Sequence, residues 1–87
     1  MAFVRTAKFF QRGHFPMKIS DSASLGIVIR NRRKQLGYTQ KYISDFTGLS
    51  VSFISDLENG KPTAELEKTL SVINLLALDI FIEERGK

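Results

Sequence analysis

Four short helices followed by one carboxyl-terminal strand, an all-α fold in class, is what this sequence predicts, and three observations predict it. Apolar residues recur at helical spacing in four successive stretches between residues 22 and 76. Each stretch has a polar or acidic residue at its start, and the first three end at Gly37, Gly48 and Gly60. The pattern then changes to alternation in Leu78-Asp79-Ile80-Phe81-Ile82-Glu83, which is the period of a strand.

The first 16 residues, "MAFVRTAKFFQRGHFP", carry no acid and no clear period. They are too polar for a secretory segment and read as a flexible basic arm. A domain is expected over residues 17–77, and a dimerisation strand with a short tail over 78–87. In helix one, "SDSASLGIVIRNRRKQLG", Asp21 or Ser22 serves as the amino-terminal cap. Leu25, Val28, Ile29 and Leu36 mark its buried face, and Gly37 suits a left-handed stop. Thr39 caps helix two, which turns Ile43 and Thr47 inward and sets Ser44 against a close neighbour. Ser50 caps helix three, which buries Ile54 and Leu57. Pro62 cannot continue a helix but sits well just before one. Thr63, Glu65 and Glu67 open helix four, with Leu66, Leu70, Ile73 and either Leu75 or Leu76 as its apolar stripe.

Composition narrows the function. A chain of 87 residues holds one domain with a thin core. It has no cysteine, which excludes disulfides and thiolate metal sites. No apolar run approaches the length of a membrane span. The net charge is +4, and it is unevenly spread. Residues 17–41 hold six basic residues against Asp21 alone, whereas residues 42–87 hold eight acids against four basic residues. One part of the domain is therefore suited to a polyanion. His14 is the only histidine and lies in the arm, no serine stands beside a base, and no glycine-rich phosphate loop follows a strand. The sequence predicts no enzyme, no metal site and no cofactor.

Helices two and three, joined by the turn Thr47-Gly48-Leu49-Ser50 and supported by helix one, have the spacing of a helix-turn-helix. A short second helix suffices there, because only its first turns enter a major groove. Within that motif, "RRKQLGYTQKYISDFTGLSVSFISDLENGKP" resembles the Cro/CI/Xre class of regulators, whose domain is lambda-repressor-like. The resemblance rests on Arg33 before Gly37, Thr39-Gln40 opening helix two, Gly48 in the turn, Ser50 capping helix three, and Leu57-Glu58-Asn59-Gly60-Lys61 closing it. It covers Leu25 to about Leu76. The "LENGKP" ending and a terminal strand in place of a fifth helix are most similar to the HipB-type antitoxins.

The resemblance implies roles. It pairs Glu58 with Arg33, a bridge suited to a planar guanidinium. It sets Gln40 on a DNA phosphate at the amino end of helix two. Thr39, Lys41, Asn59, Lys61 and Arg30 are further phosphate candidates, with Lys34 beside them. Base reading falls to Ser50, Val51, Ser52 and Ser55, with Asp56 at the margin. That set contains no Arg, Lys, Gln or Asn, the residues that make bidentate contacts to purines, so DNA shape and phosphate contacts carry more of the expected binding. Phe46 and Phe53 stand where polar residues are common, and read either as an enlarged core or as an apolar patch for a partner. Leu78, Ile80, Phe81 and Ile82 are expected to pair two chains into a homodimer.

Together these imply a cytoplasmic, nucleoid-associated bacterial repressor of a palindromic operator. By resemblance it would be an antitoxin that also binds a HipA-like Ser/Thr kinase toxin. A stand-alone phage or host regulator is the alternative within DNA binding. A protein-interaction module whose DNA binding has decayed is the alternative outside it.

Overall fold

The computed structural model describes residues 17–86; the arm expected over residues 1–16 lies outside them. Four helices follow in order: α1 Ser22–Gln35, α2 Gln40–Thr47, α3 Val51–Glu58 and α4 Leu66–Leu75.

Local chemistry explains the boundaries. Asp21 is the cap of α1. Its carboxylate accepts from the Ser24 amide at 2.8 Å, and the Ser24 hydroxyl accepts from the Asp21 amide at 3.1 Å. This reciprocal pair satisfies two amides that the helix leaves open. The Ser24 amide, then its hydroxyl, hold the Asp21 carboxyl below the ordinary carboxylate value against a small desolvation cost. Thr39 and Ser50 cap α2 and α3 by accepting from Tyr42 and Phe53 amides at 3.0 and 2.9 Å.

Ile29, Ile43, Ile54, Leu57, Val72, Ile73 and Leu76 form the core, drawn from all four helical segments. Phe53 packs half-buried against it, and Phe46 is exposed. The expectation for α4 holds at Ile73 and Leu76, with Leu70 and Leu75 packed against the core, and is corrected at the start of the helix. The helix starts at Leu66, not near Thr63, and Leu66 is 71% exposed. The buried set is Thr69, Val72, Ile73 and Leu76. Leu66 has the same helical spacing, and packing alone leaves it outside the core. Thr69 tolerates burial because its hydroxyl donates to the Glu65 carbonyl at 2.8 Å.

α1 crosses the carboxyl end of α3 at backbone distance. A Cβ on Gly26 would lie 2.6 Å from the carbonyl oxygens of both Leu57 and Glu58. On the other side of the crossing, Gly60 has φ +83° and would bring a Cβ within 2.8 Å of the Ala23 Cα. The Ser22 hydroxyl donates to the Gly60 carbonyl at 2.9 Å.

Among the described residues no strand is present. A strand needs a ladder partner, and the four helices offer no edge. The chain instead leaves α4 through Ala77, a non-glycine residue at φ 57°. The Ala77 and Leu78 amides donate to the Asn74 and Ile73 carbonyls at 3.0 and 3.1 Å. Leu78 packs on the core, whereas Phe81 and Ile82 are 83% and 93% exposed.

Candidate nucleic-acid interface

Side chains of α2 pin the turn between α2 and α3. Gly48 takes φ 77°, a left-handed conformation that side chains disfavour. The Ser44 hydroxyl donates to the Leu49 carbonyl at 2.6 Å. The Thr47 hydroxyl donates to the Ile43 carbonyl at 2.7 Å and accepts from the Leu49 amide at 3.2 Å. Ile43 and Ile54 lock the two helices below the turn. The amino end of α3 is thereby held outward, with Ser50, Val51 and Ser52 exposed and Ser55 and Asp56 half-buried.

Beneath this face lies a charged clamp. Arg33 Nε and Nη2 donate to the Glu58 carboxylate at 2.6 and 3.0 Å, and Nη1 donates to the Tyr38 carbonyl at 3.0 Å. The side chains are 12% and 2% exposed. A buried carboxylate is costly unless its lone pairs are occupied, and Gln40 supplies a third donor, Nε2 to Glu58 Oε1 at 3.1 Å. One carboxylate thus joins α1, α2 and α3. Nothing in the sequence pattern links Gln40 to Glu58. One amide N–H of Gln40 is committed inward, beside the exposed start of α2.

The remaining candidates sit around this core. Thr39 and Lys41 are exposed at the start of α2, and Lys41 is bridged to Asp45 at 3.1 Å, also in solvent. Asn59 follows α3 and shares a shallow cleft with Arg30, Asn31 and Ile27 of α1. Lys61 lies 3.5 Å from Asp56, both about half-exposed, and offsets its charge. Arg30 and Lys34 make no ion pair among the described residues.

Sequence reasoning missed three further residues. Gly26, an isolated glycine inside a helix, was a readable sign of close packing. Arg32 donates from Nε to the Leu76 carbonyl at 2.9 Å and from Nη1 to Gln35 at 3.2 Å; its cationic neighbours gave no hint of that target. Tyr42 stacks between Tyr38 and Phe46, with ring centroids 4.3 and 4.6 Å away. Partial desolvation, then Tyr38, push its phenol above the ordinary value.

A glycine-hinged pair of helices, set on α1 and presenting the outer face of the second, defines a helix-turn-helix protein. The chain belongs to the helix-turn-helix family, whose model matches residues 29–80. It is 36% identical over 70 residues to an uncharacterised HTH-type transcriptional regulator, y4mF, of Sinorhizobium fredii. That match spans 80% of this chain and 92% of the relative. Among solved structures it resembles HipB in a complex with an O4 20mer, with a TM-score of 0.74 and 23% identity over 80% of this chain and 99% of that one. It is equally similar to a chain of the HipA-HipB-O2-O3 complex, with a TM-score of 0.75, 23% identity and the same two coverages. At that identity the likeness establishes the fold. The protein is a helix-turn-helix transcriptional regulator, and no helix among its described residues is long and apolar enough to cross a membrane.

Proposed function

We propose that the protein is a repressor that binds a palindromic duplex as a homodimer, with α3 in the major groove of each half-site. The observation that carries this reading is the exposed start of α3, held outward by a turn that three side-chain hydrogen bonds fix. Ser50, Val51, Ser52 and Ser55 read base edges, with Asp56 at the margin. Serine hydroxyls donate to or accept from either kind of base, and Val51 meets a thymine methyl. Thr39, Gln40, Lys41, Asn59, Lys61 and Arg30 fix the register on phosphates. Leu78, Ile80, Phe81 and Ile82 of two copies pair as antiparallel strands about a two-fold axis. The backbone of residues 79–86, which forms no ladder among the described residues, favours that pairing.

The antitoxin reading extends this one. Solved structures that resemble the chain include HipB in a complex with an O4 20mer and a chain of a HipA-HipB complex. By that likeness the partner is a HipA-like Ser/Thr kinase, and the protein represses the operon that encodes both. The alternative of a protein-interaction module draws on the exposed Phe46 ring and on a reading face without a bidentate donor.

Fluorescence anisotropy on duplexes recovered from a randomised pool separates these readings. A DNA binder loses affinity steeply as salt rises. Lys61→Ala should weaken all duplexes alike and flatten the salt slope by about one unit. Ser52→Ala should instead alter the preference among duplexes. Recovery of no preferred duplex would leave the interaction module as the better reading. Co-expression with the neighbouring reading frame tests the kinase partnership.

A further inference from the structure

Two adjacent arginines of α1 reach opposite ends of the functional machinery. Arg33 grips the carboxylate of Glu58, the last residue of α3, through two hydrogen bonds of 2.6 and 3.0 Å. Arg32 points the other way. Its Nε donates at 2.9 Å to the carbonyl of Leu76, a buried residue that ends α4, while Nη1 rests on Gln35. A guanidinium on the last carbonyl of a helix is stabilised there by the negative end of the helix dipole. The next two residues are also fixed. Ala77 sits at φ 57°, the Leu78 amide is bound to Ile73, and the Leu78 side chain packs on the core. The chain beyond Leu78 therefore leaves the domain along one direction, set relative to the same helix that holds α3.

We propose that Arg32 and Arg33 form one rigid bracket, and that Arg32 is a positioning residue for the distance between the two reading helices of a dimer. This rests on the reading above, in which residues 78–82 pair two chains. In such a dimer the two α3 helices can occupy both half-sites at once only if their separation matches the duplex, about one helical turn of 10–10.5 base pairs. That separation is the product of two fixed relations, tail to α1 through Arg32 and α1 to α3 through Arg33. Adding or removing one base pair moves and rotates a half-site. A stiff dimer then loses its second contact and falls toward single-site affinity. A dimer with a loosened tail accommodates the change.

The test uses the full chain and the duplex that it selects from a randomised pool, with base pairs added or removed one at a time at the centre. The wild-type chain should lose affinity by about tenfold or more at the first change in spacing. Arg32→Ala should hold its affinity within about threefold across neighbouring spacings, with unchanged dimer mass in sedimentation and unchanged affinity for a single half-site. A glycine inserted between Leu78 and Asp79 leaves Arg32, the Leu78 contacts and the core in place and should broaden the spacing profile in the same way. A merely stabilising role for Arg32 would lower the melting temperature and leave the spacing profile as sharp as before; that result, or a sharp profile from the glycine insertion, overturns the bracket. A wild-type chain that selects no palindrome, or sediments as a monomer on it, removes the dimeric reading itself and the bracket with it.

Discussion

Arg33 and Glu58, 25 residues apart, meet through two hydrogen bonds of 2.6 and 3.0 Å in a site almost closed to solvent. Removing one member of such a pair leaves the other charged and buried. Glu58→Gln should therefore lower the stability of the fold by on the order of 3 kcal/mol. The thermal melt should fall by about 10 °C or more. A melt within a degree or two of wild type would mean that water already reaches the guanidinium.

The crossing of α1 and α3 is closer than a methyl group allows. Gly26→Ala places a Cβ at 2.6 Å from two carbonyl oxygens, which are backbone and cannot swing aside. The substitution gains helix propensity of about 1 kcal/mol but must push the helices apart. The net expectation is a loss of about 2 kcal/mol in chemical denaturation. A neutral or stabilised variant would show that the contact relaxes without cost.

Ala77 offers the opposite case. Its left-handed conformation costs an alanine about 1 kcal/mol and a glycine almost nothing. Ala77→Gly should raise stability by about 0.5–1 kcal/mol with the carboxyl-terminal turn of α4 unchanged. A loss instead would indicate that the tail needs the stiffness of alanine more than the turn needs relief.

Asp21 gives a dependence on pH. Its carboxyl is held below the ordinary value by the Ser24 amide first and the Ser24 hydroxyl second. A lowered value means that the fold prefers the charged form. The contribution is complete above the unfolded-state value and fades as pH falls through the folded-state one. The denaturation midpoints of wild type and Asp21→Asn should differ most at neutral pH and converge in acid. A constant gap across that range would separate the cap from its charge.

Much of this molecule was legible because its signals are local. Thr39, Ser50, Gly48 and Gly60 mark ends of helices through their own backbone chemistry, and each stands where its chemistry directs. The Arg33–Glu58 pair was legible only by resemblance, since burial of one carboxylate names no partner. The start of α4 was not legible. Leu66 has the same helical spacing as Leu70 and Ile73, and only packing leaves it in solvent while Val72 is buried. The destinations of Arg32 and Gln40 were equally hidden, because each contact spans elements whose mutual angle is set by packing. Residues 78–86 show the limit of periodicity in a single chain. Alternation can propose a strand, but the hydrogen-bond partner that would make it one has to come from elsewhere.

The sealed turn between α2 and α3 has an evolutionary reading. Ser44, Thr47 and Gly48 hold the angle, while the side chains of Val51 and Ser52 make no hydrogen bond among the described residues and stand in solvent. On the proposed reading, the support and the vocabulary are thus written in separate positions. Val51 and Ser52 could then be exchanged for guanine- or adenine-directed side chains without disturbing the scaffold beneath, and a new target sequence would be only a few codons away.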